Sequence, residues 1–281
     1  MSDSAATPTL VTPSGTPVWV TGEGPTVVLV HGVLMDHRMW SRQVATLSSD
    51  FRVCCIDMLG HGLAPNPPGE RTLDDFVQQV HEVIQTIAER YGDTREPVLG
   101  GFSMGGLITQ AYAVRYHADL AGIMILNAVY DRSPEQSRIV RERSADMAAG
   151  GAEAACASGN ARWFTDKDRA ECPQLVAEIL GWMRDGDFSA KVKAHRVFSS
   201  SDDQVAGELE HVSCPALIMT GDGDAGSTPA MAFQMFDEIP NAELHVFNQQ
   251  RHMMPVLAAG RIENTLSVFL RKWLRGSARL G

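Results

Sequence analysis

Ser103 stands in the run Gly101-Phe102-Ser103-Met104-Gly105, followed by Gly106, where a short apolar stretch ends and a helical pattern begins. A serine on so sharp a turn is held in a strained backbone conformation with its Oγ raised above the strand ends. Bulky flanking residues would strike the adjoining strand and helix, hence the glycines. A glycine-rich turn with an incidental serine is the bland alternative; the strand before and the helix after favour a nucleophile. A serine hydroxyl is a weak nucleophile near neutral pH, so it needs a base within hydrogen-bond reach and an acid to orient that base. On a strand–turn–helix serine of this kind the acid, and after it the histidine, are expected downstream in the chain.

Downstream, Ala216 to Met219 reads as a strand ending in Thr220-Gly221-Asp222-Gly223-Asp224. Asp224 is the expected acid and Asp222 the runner-up, which a plain turn between glycines explains comfortably. Four histidines lie well beyond Ser103. His195 falls inside a helical stretch, His211 in a connector and His245 within a strand. His252 lies in a loop after the last strand, from which a side chain can swing over the sheet edge, and is the expected base.

These three residues need elements to bring them together. Val27 to Val30 reads as a buried strand running into His31-Gly32, Met39 to Leu47 as a helix and Val53 to Ile56 as a strand, with a turn-rich stretch from Leu59 to Gly69. Thr72 to Tyr91 has a capping threonine, Asp74 and Asp75 at its positive end, and Phe76, Val80, Val83, Ile84 and Ile87 at helical spacing. Pro97 to Leu99 makes a short strand ending in Gly100-Gly101, the helix from Ser103 runs to about His117, and Ile123 to Leu126 is another strand. This alternation predicts an α/β fold, a mostly parallel sheet with helices on both faces.

The alternation stops after Tyr130. Ser133 to about Ser200 reads as helices broken at Gly150-Gly151, Gly159 and Pro173. It resumes with Ala216 to Met219, a helix from Pro229 to Phe236, a strand from Leu244 to Phe247 and a last helix from about Arg261 to Leu274. The expected organisation is a core from residues 1–130 and 205–281, with a helical lid inserted at 131–204.

Because His31-Gly32 ends the first of these strands, the backbone N–H groups of Val33 and Met104 are expected to point at one spot, where the oxyanion of a tetrahedral intermediate develops. His31 itself reads as a loop-structuring residue. In the lid, Trp163, Phe164, Trp182, Met183 and Phe198 are candidates for an apolar pocket wall, though each also suits simple packing. Arg162, beside Trp163, or Arg196 is placed to hold a substrate carboxylate by a bidentate contact.

Composition sets further limits. Twenty-four Lys and Arg against 34 Asp and Glu leave a net charge of −10 over 281 residues. A phosphate backbone or an anionic lipid surface is repelled on average, so neither nucleic acid nor membrane is an expected partner. The five cysteines, Cys54, Cys55, Cys156, Cys172 and Cys214, are scattered and form no CxxC pair. Neither a disulfide framework nor a structural zinc site is expected, and a reducing compartment fits. Met1 to Pro8 has no basic start or apolar h-region, and no apolar run reaches the length of a membrane span, so the cytoplasm is the expected location. A homo-oligomer is compatible with all of this.

Taken together, His31-Gly32, Asp57-Met58-Leu59-Gly60-His61-Gly62, the Gly101 to Gly106 run, Gly221-Asp222-Gly223-Asp224 and His252 resemble the α/β-hydrolase superfamily across nearly the whole chain. Within it, Ser103-Met104-Gly105-Gly106 and Arg162-Trp163-Phe164-Thr165 resemble the branch containing 3-oxoadipate enol-lactonases. The resemblance implies the α/β-hydrolase fold and a hydrolase without cofactor or metal, acting on a small-molecule ester or lactone, with Ser103, Asp224 and His252 as its triad. Serine at the nucleophile position separates the chain from haloalkane dehalogenases and epoxide hydrolases, which carry aspartate there. Arg251 stands where that branch usually has a small residue before the histidine. The same triad can also pass an acyl group to hydrogen peroxide or an alcohol, or cleave a C–C bond beside a ketone, and a non-catalytic ligand receptor can retain it. Fold alone does not choose among these.

Overall fold

The computed structural model of the chain describes residues 7–274; most of the Met1 to Pro8 stretch, and residues 275–281 at the end of the expected core, lie outside them. The strands in chain order are Leu10–Val11 (β1), Pro17–Thr21 (β2), Thr26–Val30 (β3), Arg52–Ile56 (β4), Val98–Phe102 (β5), Gly122–Leu126 (β6), Ala216–Gly221 (β7) and Ala242–Phe247 (β8). They form a single sheet in the order β1-β2-β4-β3-β5-β6-β7-β8. β1 with β2 and β2 with β4 are antiparallel, and every pair from β4 to β8 is parallel.

The central strands β3, β5, β6 and β7 are buried at every residue. Their near-continuous apolar runs, rather than alternating ones, are what a sheet covered on both faces requires. No strand is expected before Val27, yet β1 and β2, both short, extend the sheet on its antiparallel edge.

The helices are Ser41–Leu47 (α1), Leu73–Tyr91 (α2), Met104–Tyr116 (α3), Pro134–Trp163 (α4), Asp166–Glu171 (α5), Pro173–Arg184 (α6), Phe188–Phe198 (α7), Pro229–Glu238 (α8), Met254–Leu257 (α9) and Ala259–Leu274 (α10). α1 packs with α10 and α2 with α3, two separate groups against the sheet. α2 starts where its capping signal placed it. Thr72 Oγ1 accepts from Asp75 N, Asp75 Oδ2 accepts from Thr72 N at 2.7 Å, and Gly92 closes the helix at φ 60°. Such a reciprocal cap is worth about 1 kcal/mol.

Between β6 and β7 the chain forms α4 to α7 and, among the described residues, no strand. Gly151 interrupts α4 at φ 67° and Pro173 opens α6, as expected. Gly159 does not break the chain. It lies inside α4, where an added Cβ would sit 3.1 Å from Met183 Cε and 3.2 Å from the Trp163 ring. That glycine serves the close approach of α6. The two ends of the insertion are clasped by a buried ion pair: Arg132 Nη1 lies 2.7 Å from Asp202 Oδ1, and Arg132 N donates to Asp202 Oδ2 at 2.8 Å.

Candidate active site

β5 ends at Phe102 and α3 begins at Met104, so Ser103 alone makes the turn. Its backbone is forced to φ 55°, ψ −113°, a region costly for a non-glycine residue. Two main-chain bonds hold it there: Ser103 N donates to Leu126 O at 2.9 Å, and Leu107 N donates to Ser103 O at 3.1 Å. The flanking glycine is sterically required, because a Cβ on Gly105 would lie 2.2 Å from Val30 O.

The structure brings all three expected residues to the carboxyl edge of the sheet, where sites of parallel sheets assemble. Ser103 follows β5, Asp224 follows β7 and His252 follows β8. The Ser103 hydroxyl lies 3.0 Å from His252 Nε2, and His252 Nδ1 lies 2.7 Å from Asp224 Oδ2. All three side chains are buried. Asp224 Oδ1 accepts from the N–H groups of Gly226 and Ser227 at 2.9 and 3.0 Å, and Oδ2 also accepts from Asn127 Nδ2 at 2.9 Å. Burial pushes the Asp224 carboxyl up, but His252 and these donors outweigh it and hold it below the usual carboxylate range. Asp222 instead accepts from Gln250 N at 3.2 Å and remains exposed, a turn residue.

Among the described residues, neither the Val33 nor the Met104 N–H has a hydrogen-bond partner. Met104 is the first residue of α3, so its N–H cannot be used within the helix. His31 stands beneath this spot in a structural role. Its Nδ1 donates to Gly32 O at 2.8 Å and its Nε2 accepts from Met58 N at 2.9 Å. His61 does likewise with Leu34 N at 3.1 Å.

A cavity of about 120 Å³ opens over Ser103 and His252, walled by the insertion. Trp163 and Phe198 line it, as does Arg162. The Trp163 and Phe102 rings flank the His252 ring at 5.6 and 4.8 Å. Phe164, Trp182 and Met183 do not line it and are buried, with the Arg38 guanidinium over the Trp182 ring at 5.8 Å. Arg196 points to the surface, where it meets Glu70 at 3.2 Å. His195 and Phe198, three residues apart on one face of α7, take the cavity side instead.

Two further arginines, Arg132 and Arg143, stand in the wall beside those expected from the sequence. Arg132 is engaged by Asp202 and lies over the Phe198 ring at 4.5 Å. Arg143 has no hydrogen bond or ion pair among the described residues, and Arg162 has only Ser158 Oγ at 3.3 Å and the Trp163 ring. Burial, then repulsion from Arg143, lowers the Arg162 pKa to about 10, and burial lowers that of Arg143. The only sequence signal for Arg143 is a charge within the buried face of α4 marked by Val140, Ser144 and Met147. His195, a helix residue by its place in the sequence, borders the same group. Burial and the three guanidiniums press its pKa down to about 3, so it is neutral.

Asp36, His37 and Asp57 have ligand atoms within 4.8 Å of one another. Their lone pairs already hold loops: Asp57 accepts from His37 N, His37 Nδ1 and Leu63 N at 2.8, 2.9 and 2.8 Å, and Asp36 is taken by Arg38. Among the described residues, no helix is long and apolar enough to cross a membrane.

The chain is 30% identical over 251 residues to the (E)-2-((N-methylformamido)methylene)succinate hydrolase of Acinetobacter baylyi, covering 89% of this chain and 91% of that relative. The solved enol-lactonase from Burkholderia xenovorans LB400 superposes with a TM-score of 0.82 at 25% identity, covering 91% of this chain and 96% of that one. A thermophilic esterase from Thermogutta terrifontis, solved with malate bound, gives 0.81 at 26% identity over 92% of this chain and 94% of the other. The family model described as the alpha/beta hydrolase family matches residues 27–264. The chain therefore belongs to the α/β-hydrolase family.

Proposed function

We propose that the chain is a serine hydrolase that cleaves an ester or lactone bond of a small, carboxylate-bearing molecule by two-step acyl transfer. The observation that carries this reading is the continuous hydrogen-bond chain from Ser103 through His252 to Asp224, at 3.0 and 2.7 Å. His252 Nε2 takes the hydroxyl proton as Ser103 Oγ attacks the carbonyl carbon, and the Asp224 anion offsets the imidazolium that forms. The free N–H groups of Val33 and Met104 receive the oxyanion; losing one such donor typically costs ~10²–10³ in rate. His252 then protonates the leaving oxygen, and later takes a proton from the water that releases the acyl group from Ser103. The insertion at 131–204 acts as a lid that keeps bulk water from the acyl-enzyme.

The carboxylate follows from the cavity's charge. A partly buried guanidinium with no ion-pair partner is costly; among the described residues Arg143 and Arg162 have none, and Asp224 acts on Arg162 only at longer range. A substrate carboxylate supplies the missing partner. The names of two similar proteins agree with this, one a succinate derivative's hydrolase and the other an esterase holding malate.

Turnover of p-nitrophenyl acetate by the full chain, compared with Ser103→Ala, tests the reading. Loss of about 10⁴-fold or more in kcat is expected from removing the nucleophile. Turnover that survives in Ser103→Ala overturns it.

A further inference from the structure

Asn127 follows β6 at the same sheet edge and is wholly buried. Its backbone is left-handed, at φ 45°, and is pinned by its own N–H donating to Met219 O at 2.8 Å. Its Nδ2 donates to Asp224 Oδ2, the very oxygen that accepts from His252 Nδ1. Its Oδ1 is buried with no hydrogen-bond partner. A left-handed non-glycine residue and a half-satisfied buried amide both cost stability. Glycine would adopt this φ without strain, so nothing in the local backbone requires asparagine here.

We propose that Asn127 is a positioning residue of the reaction: its amide fixes which Asp224 oxygen faces His252 and keeps that carboxylate an anion through turnover. The inference rests on the Ser103–His252–Asp224 reading above. Each Asp224 oxygen then has a fixed set of donors, Gly226 and Ser227 on Oδ1, Asn127 and His252 on Oδ2. Without the amide, only the Nδ1–H of His252 would orient Oδ2, and that ring gains and loses its charge at Nε2 during the cycle. The charged and titratable groups that bear on Asp224 are His252, from the loop after β8, and Arg162, from α4.

Two variants separate positioning from packing. Asn127→Gly removes the amide together with the backbone strain; Asn127→Asp keeps the shape and replaces the donor by an acceptor. Both are assayed in the full chain with p-nitrophenyl acetate, and rates are normalised to the fraction of Ser103 labelled by a fluorophosphonate, so that misfolded protein does not count. Asn127→Gly is expected to lose about 10- to 100-fold in kcat/KM per labelled site, the worth of a hydrogen bond to a charged group. Asn127→Asp is expected to move the acid limb of the kcat/KM profile to higher pH, because a second carboxylate makes the His252–Asp224 pair hold its proton more tightly. If Asn127→Gly labels no serine, Asn127→Asp carries the decision. Rates per labelled site and an acid limb indistinguishable from the unmodified chain sink this inference while Ser103→Ala remains inactive; activity that survives Ser103→Ala sinks the underlying hydrolase reading instead.

Discussion

Arg251 donates from Nη1 to the main-chain oxygen of Phe164 at 2.9 Å, and the same nitrogen reaches Ala161 O at 3.3 Å. On the other side of His252, the N–H of Met253 donates to Trp163 O at 3.4 Å. The loop carrying the candidate base is thus fastened on both flanks to the end of α4, whose last carbonyls form the negative pole of the helix. That end of α4 also presents Trp163 to the His252 ring and Arg162 to the cavity. The residue that departs from the enol-lactonase-like pattern is a tie between the insertion and the catalytic loop.

Arg251→Met keeps the aliphatic stem and removes the donors. Loss of charge-assisted bonds on this scale should lower kcat on a p-nitrophenyl ester by about tenfold, with Arg251→Lys falling between. Steady-state kinetics at full folding, checked by circular dichroism, would show an unchanged kcat if the tie has no bearing on His252.

Arg143→Met and Arg162→Met address the substrate. On a half-ester of a dicarboxylic acid each should raise KM by about 10- to 100-fold, as expected for a lost hydrogen bond between charged groups. On a neutral ester of similar size KM should stay put. Equal losses on the two substrates would reject carboxylate recognition by these residues.

Gly105 and Gly181 make a matched pair for stability. A methyl on Gly105 collides with Val30 O at 2.2 Å and His31 O at 2.6 Å, both backbone atoms that cannot yield cheaply. Gly105→Ala should cost about 3 kcal/mol or more. Gly181 lies within α6 with nothing inside 4 Å of an added Cβ. Gly181→Ala should stabilise by about 0.5–1 kcal/mol. Urea unfolding midpoints read both.

His195 supplies a pH dependence. Its folded-state pKa is about 3 against an ordinary 6.5, first through burial and then through Arg143, Arg162 and Arg132. Between those values the unfolded chain binds more protons than the folded one, so stability falls as pH drops through that window. His195→Leu removes this contribution. The thermal midpoint of the variant, relative to the unmodified chain, should therefore climb as pH is lowered from about 6.5. His31 and His61, also pressed down mainly by burial, are common to both proteins and cancel. A difference that does not vary with pH would contradict this account.

The parts of the site that were legible in the amino-acid order are those with local causes. Ser103 is marked by a strand, a helix and glycines within a few residues, and α2 by its own capping box. Asp224 could be chosen because it ends a strand-to-turn run. The cavity wall was harder. Arg162 and Arg196 looked alike in the sequence, yet one enters the cavity and the other reaches Glu70 at the surface. The rotation of each helix about its axis decides between them, and that rotation follows from packing against distant elements. Gly159 read as a break for the same reason, since its partner Met183 belongs to another helix.

The order of residues by itself determined the alternating strands and helices, the strained serine turn and the chain order of the three reacting groups, because each depends on neighbours along the backbone. Tertiary structure alone decided that Ser103 and His252, 149 positions apart, meet at 3.0 Å, that Asn127 bonds Asp224 and that Arg143 enters the cavity wall. Parallel strands in register deliver distant loops to one edge, and which side chains converge there depends on how the whole sheet and its covering helices pack.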